Sequence, residues 1–88
     1  MLNIGDTLRS IREKKNFTLL EVADRSGISK SYLSKIENRM QSPSIEYLEK
    51  ICLGLNIPVS IFMILADDTI GDFSDLTDSI KSLIYESL

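Results

Sequence analysis

Lys30, Ser31, Ser34 and Lys35 lie within one short stretch and supply the side chains best suited to polar recognition. A lysine ammonium donates to phosphate oxygens or to the acceptors on a guanine edge, and a serine hydroxyl both donates and accepts. Taken alone, lysines on a helix are most often a solvated face. Catalytic chemistry has little to draw on. The chain has no histidine, which removes the commonest general base and the commonest transition-metal ligand. Cys52 is the single cysteine, so no intrachain disulfide or multi-thiolate metal site can form, and its place in an apolar helical stripe predicts a buried thiol. Asp67, Asp68 and Asp72 lack the spacing of a calcium loop and read as a solvated linker. No nucleophile–base pair can be assembled, so the expectation is a protein that is not an enzyme and uses no metal or other cofactor.

The elements around the lysines alter how they read. In LLEVADRSGISKSYLSKIEN, Leu19 to Asn38, a small residue (Ala23) and a glycine (Gly27) sit among aliphatics at Val22, Ile28, Leu33 and Ile36. Two helices meeting near a right angle approach closest at Ala23, Gly27 supplies the left-handed turn, and the aliphatics form a wedge beneath. One face of the second helix is then exposed, and an exposed helix has the diameter of a DNA major groove. Thr18 and Glu21 stand in capping-box register at the start of the first of these helices, and Ser29 can cap the second, which should run to about Asn38.

Helices are expected on either side. Ile4, Leu8 and Ile11 recur at helical spacing in a first helix ending near Lys15-Asn16. Arg39-Met40-Gln41 forms a loop, after which Ser42 caps and Pro43 opens a fourth helix carrying Ile45, Leu48, Ile51, Cys52 and Leu55, ended by Gly54-Leu55-Asn56. Pro58 opens a fifth, through about Ala66, apolar on nearly every side and so expected to be covered all round. A last helix, capped by Asp72 or Ser74, carries Phe73, Leu76, Ile80 and Leu83. Tyr47, Phe62 and Met63 read as core or interface packing rather than a ligand pocket.

The segment SKSYLSKIENRMQSPSIEYLEKI, with the Ala-Gly-aliphatic pattern before it, resembles the XRE-like helix-turn-helix family of Cro and phage-repressor type, and within it the SinR-type regulators. The resemblance covers residues 3 to 66. It implies an all-α fold, a five-helix, lambda-repressor-like DNA-binding domain over residues 1–66; the residue pattern adds a linker and C-terminal helix over 67–88, expected as a dimerisation element. Thr18–Arg25 would be the positioning helix and Ser29–Asn38 the reading helix. Lys30, Ser31 and Lys35 align with base readers, with Tyr32 and Ser34 at the groove wall. Thr18, Asn38, Arg39 and Ser42 fall where family members touch phosphates. Arg12 and Glu37 match an ion pair between the first and third helices, and such an inward pair keeps a carboxylate away from phosphate. Leu19 departs from the family pattern, standing where many relatives carry a glutamine that contacts DNA.

The 88 residues are read as a single globular unit of ordinary composition. The net charge of −3 hides an asymmetry: residues 1–50 hold nine Lys/Arg against seven Asp/Glu, whereas 51–88 hold Lys81 alone against six acidic residues. Phosphates would meet the front of the molecule and the back would be acidic, so specific base contacts must do much of the selecting. The N-terminus lacks a signal core and the longest apolar run is too short to span a bilayer, so a cytoplasmic protein with no membrane partner is expected. The stripe of Phe73, Leu76, Ile80, Leu83 and Ile84 could cover the fifth helix of its own subunit, pair with a second subunit, or dock a regulatory protein. A homodimer using these residues and Phe62 is favoured, because an 88-residue chain leaves more apolar surface on two adjacent helices than one subunit covers. The resulting expectation is a transcriptional regulator, of repressor type, binding an inverted-repeat operator in double-stranded DNA. The alternative is an antitoxin-like or antirepressor-controlled interaction module whose C-terminal helix binds a partner protein.

Overall fold

In the computed structural model, residues 2–67 and 74–88 are described, with the side chains of residues 74 and 75 excepted. Among them lie six helices: α1 (Ile4–Lys14), α2 (Leu19–Ser26), α3 (Lys30–Glu37), α4 (Ile45–Leu55), α5 (Val59–Ala66) and α6 (Ser74–Ser87). The all-α expectation holds, and the first three helices begin and end close to where caps and turns put them. Asn3 caps α1 by accepting from the Asp6 N–H, and Thr18 and Glu21 complete the capping box of α2. Gly27 adopts φ 75° and its N–H closes α2 on the Ala23 carbonyl. Asp72 and Phe73 lie outside the described residues.

The fourth helix starts later than expected. Ser44, not Ser42, is its cap: the Ser44 hydroxyl accepts from the Tyr47 N–H at 3.2 Å, and Pro43 stays in the preceding loop. Serines flank the proline on both sides, and only the one whose hydroxyl reaches an amide in the first turn can cap. Ile45 therefore sits in the first turn, 69% exposed, while Leu48, Ile51, Cys52 and Leu55 enter the core. The helix ends within Gly54-Leu55-Asn56 as expected, with Gly54 in its last turn and Asn56, in the left-handed region, closing it.

One core holds the helices, built from Leu8, Ile11, Val22, Ala23, Ile28, Leu33, Ile36, Leu48, Ile51, Cys52, Leu55, Ile57, Phe62, Leu65 and Ala66. Burial pushes the Cys52 thiol up to about 11, so it stays protonated and unreactive near neutral pH. Two glycines permit close approach. A Cβ on Gly54 would lie 2.9 Å from the Cβ and N of Ser26, where α4 presses on the end of α2. A Cβ on Gly5 would lie 2.4 Å from the Ile36 carbonyl oxygen, where α1 presses on α3. The N-terminus is tied to the end of α5 by the Asn3 N–H to the Ala66 carbonyl, 2.7 Å, and by an antiparallel bridge between Leu2 and Asp67.

The C-terminal helix carries apolar residues on more than one face, and one of them packs on its own subunit. Ile84, Tyr85 and Leu88 pack against the core of their own subunit. Burial raises the Tyr85 phenol above its usual range, partly offset by a side-chain hydrogen bond with Ser10. Lys81 donates to the Asp67 carbonyl. Leu76, Ile80 and Leu83 remain exposed. Phe62, expected at a dimer interface, is fully buried in the core, because its place on α5 faces inward between the other buried residues of that helix, Leu65 and Ala66. Nor is α5 covered all round, since Ile64 is 42% exposed. No single helix among the described residues is long and apolar enough to cross a membrane.

Gly5→Ala should destabilise the fold by about 1–3 kcal/mol, since an unyielding backbone oxygen stands where the new methyl must go. The gain in helix propensity, about 1 kcal/mol at most, does not offset this in the first turn. Urea denaturation checks it; a variant as stable as the parent would mean that α1 and α3 can move apart freely.

Candidate nucleic-acid interface

The chemistry of α3 is set by what its underside buries. Ser29 caps it, accepting from the Tyr32 N–H at 3.1 Å, and Leu33, Ile36 and Glu37 are buried. At about 100° per residue, Lys30, Ser34, Ser31 and Lys35 follow one another around the opposite arc. Lys30, Ser31 and Lys35 are exposed, and Ser34 and Tyr32 half-buried. All five expected readers thus share one helix, with Tyr32 at the flank next to the buried stripe.

Glu37 is the only charged residue buried among those described, and its carboxylate is fully engaged. Arg12 donates from Nε at 2.8 Å and from Nη2 at 3.1 Å, and its Nη1 donates to the Phe17 carbonyl at 2.9 Å. Arg9 adds a contact through Nε at 3.2 Å. The hydrogen bond with Glu37 raises the Arg12 guanidinium above its ordinary range, against the opposing effect of burial. The expected inward pair is present, and Arg9 is its third member. A buried carboxylate met by two guanidiniums ties α1 to the far end of α3 and leaves α3 with no exposed acidic side chain.

The four expected phosphate contacts are all exposed but are not equally available. The Thr18 hydroxyl accepts from the Glu21 N–H at 3.1 Å, which leaves its own proton to donate. The Asn38 amide turns back, donating to the Ser34 carbonyl at 2.8 Å and to its hydroxyl at 3.3 Å, so it closes α3. Arg39, at φ 61°, is paired with Asp6. That hydrogen bond, followed by one from Asn3, holds the Asp6 carboxyl below its usual range. Ser42 lines a shallow surface groove with Asn3, Gly5, Ile36 and Arg39.

Two helices, α2 and α3, are joined at Gly27, and the second presents cations and hydroxyls. Residues 8–62 match the model of the Helix-turn-helix family. The chain belongs to the XRE-type helix-turn-helix family. It is 39% identical over 86 residues to the HTH-type transcriptional regulator SinR of Bacillus licheniformis, covering 97% of this chain and 77% of that protein. It spans about half (51%) of SinR from Bacillus subtilis, at 42% identity over 57 residues and 64% of this chain. Among solved structures, the master regulator for biofilm formation SinR in complex with DNA is similar with TM-score 0.63 and 40% identity, over 67% of this chain and 95% of that one. A SinR protein/SinI protein complex is similar with TM-score 0.66 and 33% identity, over 90% and 80% of the two chains.

Within this helix-turn-helix frame, sequence reasoning missed one further residue. Tyr47, assigned to core or interface packing, is 38% exposed on the first turn of α4. Its ring meets that of Tyr32 edge to face, centroids 5.1 Å apart and planes at 76°. Lys50 Nζ lies 5.4 Å from the Tyr47 centroid. The buried stripe of Leu48, Ile51, Cys52 and Leu55 would have placed Tyr47 off the core; its meeting with Tyr32 needs the crossing of α3 and α4. Leu19 is half-buried against the core.

Arg12→Ala should lower stability by about 3 kcal/mol or more, because it strands a buried carboxylate, whereas Arg9→Ala, at a half-exposed partner, should cost about 1 kcal/mol or less. Thermal melting of the two variants measures the difference. Equal and small losses would mean that Glu37 is solvated rather than clasped.

Proposed function

We propose that this protein is a sequence-specific double-stranded DNA-binding transcriptional regulator in which α3 enters the major groove. The observation that carries the reading is the division of α3. Leu33, Ile36 and Glu37 are buried, while Lys30, Ser31 and Lys35 point their donors to solvent with Tyr32 and Ser34 beside them. Lysine donates to guanine O6 and N7, serine suits either type of edge, and a tyrosine ring packs on sugar or a thymine methyl. Thr18, which caps α2, and Ser42 and Arg39, after α3, would meet phosphates, Arg39 by exchanging Asp6 for phosphate. The likeness to SinR in complex with DNA supports this assignment.

We further propose that it acts from the cytoplasm as a homodimeric repressor on an inverted repeat. Two copies would place their reading helices in successive major grooves, about 34 Å apart. The dimer contact would use Leu76, Ile80 and Leu83, exposed along one side of α6, with Ile84 at their edge. Phe73 lies outside the described residues and Phe62 is already in the core, so neither supports this contact. A second reading, control by a protein that binds the tail, draws on the same exposed stripe and on the likeness to a SinR protein/SinI protein complex over 90% of this chain.

Selection of bound duplexes from a random pool tests the main reading, with an enriched two-fold symmetric site expected. Lys35→Ala should weaken binding to that site by about 1–3 kcal/mol and relax preference at one base position; an unchanged site profile would remove Lys35 from the readers. Replacing Leu76, Ile80 and Leu83 together by glutamate should convert a dimer to a monomer in gel filtration and lower operator affinity. If the variant still elutes as a dimer, α6 has another task.

A further inference from the structure

We infer that Tyr47 is a positioning residue for DNA recognition, setting the ring of Tyr32 and thereby the base preference at the step that Tyr32 meets. The inference rests on the assignment of α3 as the reading helix. Tyr32 is half-buried at one flank of the exposed arc, beside Ile36 of the buried stripe, where its ring can lie toward the arc or toward a neighbouring helix. The edge-to-face contact with Tyr47 selects one of these two directions.

Tyr47 is itself well anchored for a surface residue. Its backbone N–H is held by the Ser44 cap, and the rotation of α4 is set by Leu48, Ile51, Cys52 and Leu55 in the core. The Lys50 ammonium lies near its ring, and Lys50 is in turn 4.0 Å from the Glu46 carboxylate. A cation near one ring and a second ring against it confine the Tyr47 side chain without burying it. Recognition at the Tyr32 step would thus be set partly from another helix. The phenol oxygen of Tyr47 has no part in this argument; the ring does.

The test compares full-length wild type with Tyr47→Leu, Tyr47→Phe, Tyr32→Leu and the Tyr47/Tyr32 double leucine variant, by duplex selection and by titration of the selected site at several salt concentrations. Tyr47→Leu should reduce discrimination about two- to tenfold, the range of an aromatic pair, at the one base step also affected by Tyr32→Leu. Its affinity for unrelated duplex and its salt slope should stay as in wild type, and Tyr47→Phe should retain the wild-type profile. The double variant should discriminate no worse than Tyr32→Leu alone. A wild-type pool without an enriched site would overturn the reading-helix assignment and this inference with it. An enriched wild-type site that survives unchanged in Tyr47→Leu would overturn this inference alone, as would a Tyr47→Phe defect equal to that of leucine, additive losses in the double variant, or a Tyr32→Leu profile identical to wild type.

Discussion

The burial of Leu33 and Ile36 beneath α3 is the constraint on which the rest of the structure turns. Each fully buried side chain of this size is worth about 1.5–3 kcal/mol, enough to hold an eight-residue helix that would not persist in water by propensity. Once these two point inward, the exposed arc follows from helical geometry, and Lys30, Ser31 and Lys35 have nowhere to go but outward. The exposed arc, which carries the proposed readers, is thus a consequence of core packing.

Electrostatics completes what packing begins. Glu37 belongs to the same helix as the exposed lysines, and a solvated carboxylate there would oppose an anionic ligand. Clasped by Arg12 and Arg9, it becomes a structural tie between α1 and α3. The pair costs desolvation, so its value lies less in net stability than in where it places α3 and what it removes from the surface. Gly5 acts at the same junction, letting α1 close on the Ile36 carbonyl. One carboxylate and one missing side chain therefore fix the same helix end by different physics.

The acidic C-terminal part is attached to this frame through one side of α6. Ile84, Tyr85 and Leu88 join the core, and the Leu76, Ile80 and Leu83 side remains open. A helix with apolar residues on two sides can serve its own subunit and a second surface at once. Of the three roles left open by its sequence, packing on its own subunit is the one observed.

How much of this was legible in the residues depended on range. The capping box at Thr18 and Glu21, the turn at Gly27, the inward Leu33 and Ile36 and the exposed Lys30, Ser31 and Lys35 all follow from helical period and backbone chemistry acting over a few positions, and these the amino-acid order determined alone. The Arg12–Glu37 pair came from resemblance and was then found in place. Tertiary structure decided the rest: that Ser44 rather than Ser42 caps α4, that Phe62 belongs to the core, that Arg9 joins Glu37, that Arg39 is held by Asp6, and that Tyr47 meets Tyr32. Apart from the Ser44 cap, which is local to α4, each of these depends on the angle and distance between elements distant in the chain. Periodicity gives the face of a helix but carries no information about which other face it will meet.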